Sequence, residues 1–430
     1  MRLSLVLLSF ALIAPGAAAD EWDDFLAGRL GDSASYRQAR IKYEEARLGR
    51  DKLAKPYLPT LTIGTSGQSG LSIQDGAFAG ATIAPRLTFA ELFGAELSVQ
   101  TPVLLAKTGE PSLGNPAVSV TRKLFVESGA DRDAAEAAYI SAKASLRDAE
   151  SAVRLQLVTE VLNAVYYGSL LEANARNLAV LERGRMATPD DAVSEAALRA
   201  SEKQILQATK SILSARASLA ALDPQVKEAA ERLYPVVKKR GEEWIAVIPA
   251  VDAPLPESQA IAAIERRLAA ARSRAALWML PYLPNPSLTG QVGYDLAKEE
   301  LTWGLSLQFS FTVLDKGERA LSALQRRENA ELERIAVQAA KKNLADGIRQ
   351  ARERLELLAL DARIKALELA DAQETAALRQ VQYERGFATA EQLESGRIDL
   401  ATKELEAMSV EHDTLIQKLR LAQYYVEGRL

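Results

Sequence analysis

The sequence predicts a mainly α-helical chain broken by two islands of β-strand. It is built as a tandem duplicate, each half running helix, strands, long helical hairpin. Three observations predict this. The tripeptide Tyr-Leu-Pro occurs at residues 57–59 and again at 282–284, each time behind a proline (Pro56, Pro281) and ahead of an alternating stretch. Ala46-Arg47 and Ala271-Arg272 precede the two copies at the same distance. Long segments rich in Ala, Leu, Glu and Arg follow each strand region, and these residues are strong helix formers. Self-similarity at a fixed offset is the mark of a repeated unit.

The N-terminus carries an address. Arg2 is followed by LSLVLLSFALIA and then by Pro-Gly-Ala-Ala-Ala-Asp. A charged start, an apolar core and a small-residue exit make a secretory signal peptide over 1–19, with cleavage expected near Ala19. A membrane-spanning helix needs about 20 apolar residues, and neither this run nor any later one reaches that length. The mature chain is expected to be exported without a transmembrane helix.

Composition excludes several classes. The 430 residues contain no cysteine, which removes disulfides, thiolate catalysis, cysteine metal sites and lipidation of an N-terminal cysteine. The net charge of −4 gives no basic field for nucleic acid. The one histidine, His412, lies between Glu411 and Asp413 in a helical pattern and is expected on a solvated helix surface. There is no Ser/His/Asp set, metal cluster or phosphate loop, so neither an enzyme nor a cofactor is expected.

In chain order, the first repeat spans 20–222. A helix over Ser35–Lys55 ends at Pro56, strands fill 60–125, and a helical hairpin occupies 130–222. Residues 223–256 hold Pro224, Pro235, Pro249, Pro254 and Pro256 and read as an irregular connector. The second repeat spans 257–430, with a helix over 257–280, strands over 286–314 and a hairpin over 317–428. At each Tyr-Leu-Pro a helix should become a strand. Pro56, Pro59, Pro281 and Pro284 cannot continue a helix, and the residue before each proline is pushed towards extended geometry.

The strands read as membrane β-strands. Leu301, Trp303, Leu305, Leu307, Phe309, Phe311 and Val313 share one face, while Thr302, Gly304, Ser306, Gln308, Ser310 and Thr312 share the other. The neighbouring strand sets Leu288, Val292, Tyr294 and Leu296 against Ser287, Thr289, Gln291 and Asp295. Exposed strand faces in soluble sheets usually carry charge. Here the polar face is small and neutral, and Lys298, Glu299 and Glu300 gather at the turn. Strands of 9–11 residues, apolar outside and polar inside, suit a transmembrane barrel. The first repeat offers candidates at 60–69, 79–90, 92–104 and 116–125, giving six strands in all. Membrane barrels need at least eight, and an open sheet edge cannot face lipid. Several chains must therefore share one barrel.

The hairpin tips repeat one chemistry. Thr188-Pro189-Asp190-Asp191 and Thr389-Ala390-Glu391-Gln392 each set a capping threonine ahead of a returning helix, with an acid or amide three residues on. Gly184 and Gly386 stand before them as helix C-terminal glycines.

The signal peptide, the duplicated hairpin and the Tyr-Leu-Pro breaks together resemble the TolC-like outer-membrane efflux protein family. LFVESG (124–129), VLDKG (313–317) and YERGFATAEQLES (383–395) add to the match, which covers nearly the whole mature chain. The resemblance implies a homotrimer in the outer membrane, with most of its mass in the periplasm. One shared β-barrel would stand in outer-membrane lipid and continue as a long periplasmic α-barrel. It implies a passive duct docking to a periplasmic adaptor protein and an inner-membrane transporter through tips containing Gly184, Arg185, Thr188, Gly386, Phe387 and Thr389. It also implies a mouth closed by acidic residues, here Glu391 and Glu394 in the second tip, with Asp190 and Asp191 in the first. Acids in a first helical turn also complement the helix dipole.

Two departures stand out. The family has two strands per repeat, whereas the first strand region here, Pro59 to Gly129, is about twice as long as the second. The first outgoing helix is about four turns shorter than the second at 3.6 residues per turn. The competing reading of the residues is a non-conducting periplasmic coiled-coil scaffold, which has no need of the apolar face at 301–313.

Overall fold

The computed structural model describes residues 15–55, 57–64, 71–74, 77–92, 95–106, 111–123, 125, 127–187, 195–250, 253–283, 286–309 and 315–426. The chain runs α1 (Pro15–Asp32), α2 (Ala34–Ala54), β1 (Thr60–Gly64), β2 (Leu71–Gln74), β3 (Ala77–Leu92), β4 (Ala95–Gln100), β5 (Val103–Ala106), β6 (Pro111–Leu113), β7 (Ala117–Lys123), α3 (Ser128–Ala187), α4 (Glu195–Ala220), α5 (Pro224–Ile245), α6 (Gln259–Ala276), β8 (Ser287–Asp295), β9 (Glu300–Gln308), α7 (Glu318–Glu384) and α8 (Ala390–Tyr425). It divides into two units. One comprises Ala39–Ser145 and Ser258–Lys342; the other comprises Met1–Gln38, Leu146–Glu257 and Asn343–Leu430.

The first unit holds the strands. α2 ends at Ala54, the Leu58 N–H donates to the Lys55 carbonyl at 3.0 Å, and β1 opens directly behind Pro59. The second crossing begins earlier than the sequence suggested. α6 stops at Ala276, because Pro281 in a continuing helix would clash with the carbonyl of Leu277. A 3-10 turn over Leu280–Tyr282 follows, and Leu283 is extended at φ −97, ψ 141, as a residue before proline must be. Pro56 and Pro284 themselves lie outside the described residues.

The sheet is antiparallel throughout, with order β6-β5-β3-β4-β7-β8-β9 and with β1 and β2 also on β3. Five of the six expected strands match β1, β3, β7, β8 and β9. The sixth, 92–104, splits into β4 and β5 around Pro102, whose missing N–H interrupts the ladder. β9 ends at Gln308, so only four members of the predicted apolar face lie in it. Phe311 and Val313 fall outside the described residues. Below the sheet, Tyr43 and Tyr139 stack at 5.7 Å, with the Arg50 guanidinium 3.8 Å over Tyr139.

The second unit corrects two readings. Residues 223–256 are not an irregular connector. Residues 224–245 form α5: the Asp223 side chain accepts from the Gln225 N–H at 2.8 Å, and Pro224 sits in the first turn, where no N–H is needed. Val226, Ala229, Ala230, Leu233 and Val237 recur at helical spacing and are all buried. Val226, Ala229, Leu233 and Val237, together with Trp22 and Leu26 of α1, Leu157, Val158, Val161 and Leu162 of α3, and Leu419 and Ala422 of α8, form the core of this unit. The segment read as a linker thus carries much of the buried surface. Arg29–Glu160 at 2.7 Å and the bidentate Arg240–Asp23 pair at 2.9 and 3.0 Å rim it.

His412 is the other correction. It is 5% exposed, and its Nε2 lies 3.0 Å from the Tyr234 hydroxyl of α5. Burial lowers its pKa to about 4, so it is neutral near pH 7. Glu411 and Asp413 flank it in sequence, but neighbours on a helix point to different faces.

The outgoing helices are closer in length than expected, at 60 residues for α3 and 67 for α7. α3 runs through Gly184 to Ala187, so Gly184 does not end it.

Candidate functional site

Two features offer chemistry: the faces of the sheet and the tips of the hairpins. Register aligns the strands into rows. Leu61, Leu87, Val99, Val118, Val292 and Trp303 lie side by side across β1, β3, β4, β7, β8 and β9. Phe89, Leu97, Val120, Gly290 and Leu305 form the next row of that face. The opposite face carries Thr88, Ser98, Ser119, Gln291 and Gly304 in one row. Its side chains bond to one another: Ser98 and Ser119 hydroxyls at 2.7 Å, Thr121 and Thr289 at 3.1 Å, and the Arg86 guanidinium donating to Glu96 at 3.3 Å.

The apolar face is open, and the two buried polar side chains among the described residues of the sheet lie on the other face. Ser98 is 4% exposed and Thr82 6%, whereas the apolar side chains from Val118 to Trp303 are 37–78% exposed. Just beyond the strand ends, Tyr57, Phe125, Tyr282 and Phe309 are all exposed aromatics. No described helix is long and apolar enough to cross a membrane.

At the second tip the predicted chemistry is present. Gly386 has φ +76, a conformation that costs glycine nothing, and the Phe387 N–H donates to the Gln382 carbonyl at 2.8 Å. The Gln392 N–H donates to Thr389 Oγ1 at 3.2 Å and the Thr389 N–H donates to Gln392 Oε1 at 2.9 Å. Two otherwise orphaned donors of α8 are satisfied reciprocally. Phe387 projects 81% exposed.

A Cβ at Gly184 would lie 3.4 Å from Glu391 Oε1, in ordinary contact, so Gly184 of α3 sits beside the start of α8. Gly184, Arg185, Phe387 and Glu391 line one groove of about 710 Å³. Glu394 pairs with Arg397 at 3.6 Å, and the Arg397 guanidinium also donates to Gln380 Oε1 at 3.1 Å. The structure thus brings Glu391 to the first hairpin and gives Glu394 a cation. Thr188, Asp190 and Asp191 lie outside the described residues. Farther along, Lys365 and Lys403 both bond Glu368 and Glu406, at 2.7–3.1 Å, tying α7 to α8. The two ammonium groups hold Glu368 at a pKa of about 2.

This order of elements, with its sheet and paired hairpins, recurs in solved structures. The outer-membrane channel OprN superposes with a TM-score of 0.58 at 16% identity, covering 96% of this chain and 90% of that one. The chain has the TolC-like fold. The CmeC outer-membrane channel of Campylobacter jejuni (0.56, 14% identity, 95% and 88% covered) and the open state of the MtrE outer-membrane channel of Neisseria gonorrhoeae (0.55, 17%, 94% and 88%) share it. No protein-family model matches the chain, and no curated protein matches it in sequence.

Within the TolC-like fold, sequence reasoning found the strand faces, the crossings and the second tip. It missed the buried role of α1 and α5. A usable signal was the spacing of Trp22 and Leu26, four apart, and the run Val226, Ala229, Leu233, Val237.

Proposed function

We propose that this chain is the outer-membrane exit duct of an efflux or secretion apparatus. It is a passive conduit and not an enzyme. The observation that carries the proposal is the sheet with an exposed apolar face and a small, hydrogen-bonded polar face. Water would penalise that arrangement and lipid would reward it. The exposed aromatics at the strand ends fit an interfacial girdle, and solved proteins of this fold are described as outer-membrane channels.

In this reading residues 1–19 direct export and are removed. The repeats, 20–222 and 257–430, then assemble as a homotrimer with most of their mass in the periplasm. The tips, with Gly184, Arg185, Thr188, Gly386, Phe387 and Thr389, dock to a periplasmic adaptor and through it to an inner-membrane transporter. Asp190, Asp191, Glu391 and Glu394 place carboxylates at the mouth, where three copies make rings that favour cations.

The test is single-channel conductance of the purified mature protein in a planar bilayer, with native mass measured on the same sample. A trimer giving discrete, cation-biased steps is expected. A monomer or dimer that never inserts overturns the duct and leaves a periplasmic coiled-coil scaffold.

A further inference from the structure

The nine strand segments are six passes of the chain. Arg86 faces Gln100 and Ile83 faces Val103, positions on one unbroken antiparallel register, so β4 and β5 are one strand interrupted at Pro102. The ladder bridges that interruption: Thr101 N–H donates to the Pro85 carbonyl at 3.2 Å, and Gly114 N–H to the Pro102 carbonyl at 2.7 Å. β6 and β7 lie along the other side of that strand with a one-residue slip between them, since Val103 faces Leu113 whereas Gln100 faces Ala117, and β1 and β2 lie along one side of β3. The passes therefore run in the order β1/β2, β3, β4/β5, β6/β7, β8, β9.

Among the described residues the far sides of β1 and β9 are open, as are those of the short outer segments β2 and β6, the latter opening with Pro111. Soluble proteins guard such edges with lysine, proline or bulges. β1 reads TLTIG, and β9 after its first residue reads LTWGLSLQ; neither carries a guard. An even number of antiparallel passes makes the first and last run in opposite directions. β1 of one copy can then extend the ladder of β9 on another in the same antiparallel sense. The faces also match, since Leu61 and Ile63 belong with Trp303 and Leu305, and Thr60 and Thr62 with Thr302 and Gly304.

We propose that the occupant of each edge is a second copy of this chain, joined by a β1–β9 seam, so that every copy contributes six strands to the barrel rather than the four the resemblance implies. This rests on the outer-membrane duct reading; in its trimer, three copies of six make eighteen strands. A repeated head-to-tail contact closes into a ring and leaves no unpaired backbone towards lipid. Barrels of 16–18 strands enclose an aqueous channel.

The cysteine-free chain makes the test direct. Gly304→Cys on the polar face of β9 has open space around it. It is combined with Thr60→Cys, Thr62→Cys or Gly64→Cys on the same face of β1, a series that covers the unknown stagger. A second series combines it with Glu96→Cys, Ser98→Cys or Gln100→Cys on β4, the strand that would form the edge if β1 and β3 stood outside the ring. Full-length variants are oxidised in outer-membrane vesicles and resolved without reductant. At least one β1 pairing should give covalent oligomers ending at three copies and collapsing to monomer on reduction, with none from the β4 series. Oligomers from the β4 series, or none from either in samples with normal conductance steps, overturn the seam. Samples without conductance steps overturn the duct reading itself.

Discussion

Leu305→Arg separates lipid from water as the solvent of the sheet. Leu305 lies opposite Gly290 near the middle of the β8–β9 pair and is 68% exposed on the apolar face. On the lipid face of a barrel, an arginine at the bilayer midplane costs about 2–4 kcal/mol. At 1.4 kcal/mol per tenfold, the folded-to-unfolded ratio in lipid falls roughly 30- to 1,000-fold per copy. On a scaffold in water, an exposed Leu→Arg exchange changes stability by no more than about 0.5 kcal/mol. Ser306→Arg is the control, one residue on and on the polar face. If that face lines a water-filled lumen, it costs less than about 1 kcal/mol, since lumen positions escape the lipid penalty. The assay is urea unfolding of both variants in phosphatidylcholine vesicles, followed by tryptophan emission. Equal, small shifts for the two would refute the assignment of the apolar face to lipid.

Other outcomes follow from particular contacts. The folded pKa of His412, about 4, lies below the ordinary value near 6.5. Its stabilising share is therefore complete above about pH 6.5 and is lost as pH falls through about 4, at most roughly 3 kcal/mol at 1.4 kcal/mol per unit; thermal unfolding across that range should lose much of its pH slope in His412→Gln. Leu233→Ala opens a hole in the α1–α3–α5–α8 core and should cost about 2–5 kcal/mol by denaturant titration, a result a disordered linker could not give. Thr389→Ala removes half of the capping box and should cost about 1 kcal/mol, read as roughly fivefold faster amide exchange in the first turn of α8. Glu391→Gln combined with Glu394→Gln should lower cation preference in planar bilayers; unchanged selectivity and conductance would remove these carboxylates from the mouth.

Period and proline carried most of what the sequence disclosed. An alternation of two residues survives folding unchanged because each strand face meets a different environment, so Leu301 to Leu307 and their partners on β8 were readable directly. The Tyr-Leu-Pro crossings were readable because proline acts locally. Where proline misled, its position mattered more than its presence. Pro224 begins α5 rather than breaking a segment, and Pro235 is tolerated inside a helix whose buried stripe holds it in place. His412 was misread from its sequence neighbours, although Leu405, His412 and Leu419 stand seven apart and are all buried. Gly184 was read as a terminus, but α3 continues past it to Ala187.

The distribution of charge assigns different work to the two units. On the polar strand face the middle rows are hydroxyls, amides and glycine, and the charged pair Arg86–Glu96 cancels itself. In the proposed duct, such a surface would hydrate a passage without favouring either sign of ion. The tip holds Glu391 in its groove, and Glu394 is only weakly held, since a part-exposed pair with Arg397 contributes about 0–1 kcal/mol. Neutralising Arg397 would therefore release a carboxylate at modest structural cost. If the mouth discriminates ions, Arg397→Gln raises cation preference where Glu394→Gln lowers it, while Arg86→Gln combined with Glu96→Gln leaves selectivity unchanged. Reversal potentials in a salt gradient decide the matter: a larger shift from the strand pair than from the tip variants would place selectivity in the barrel instead.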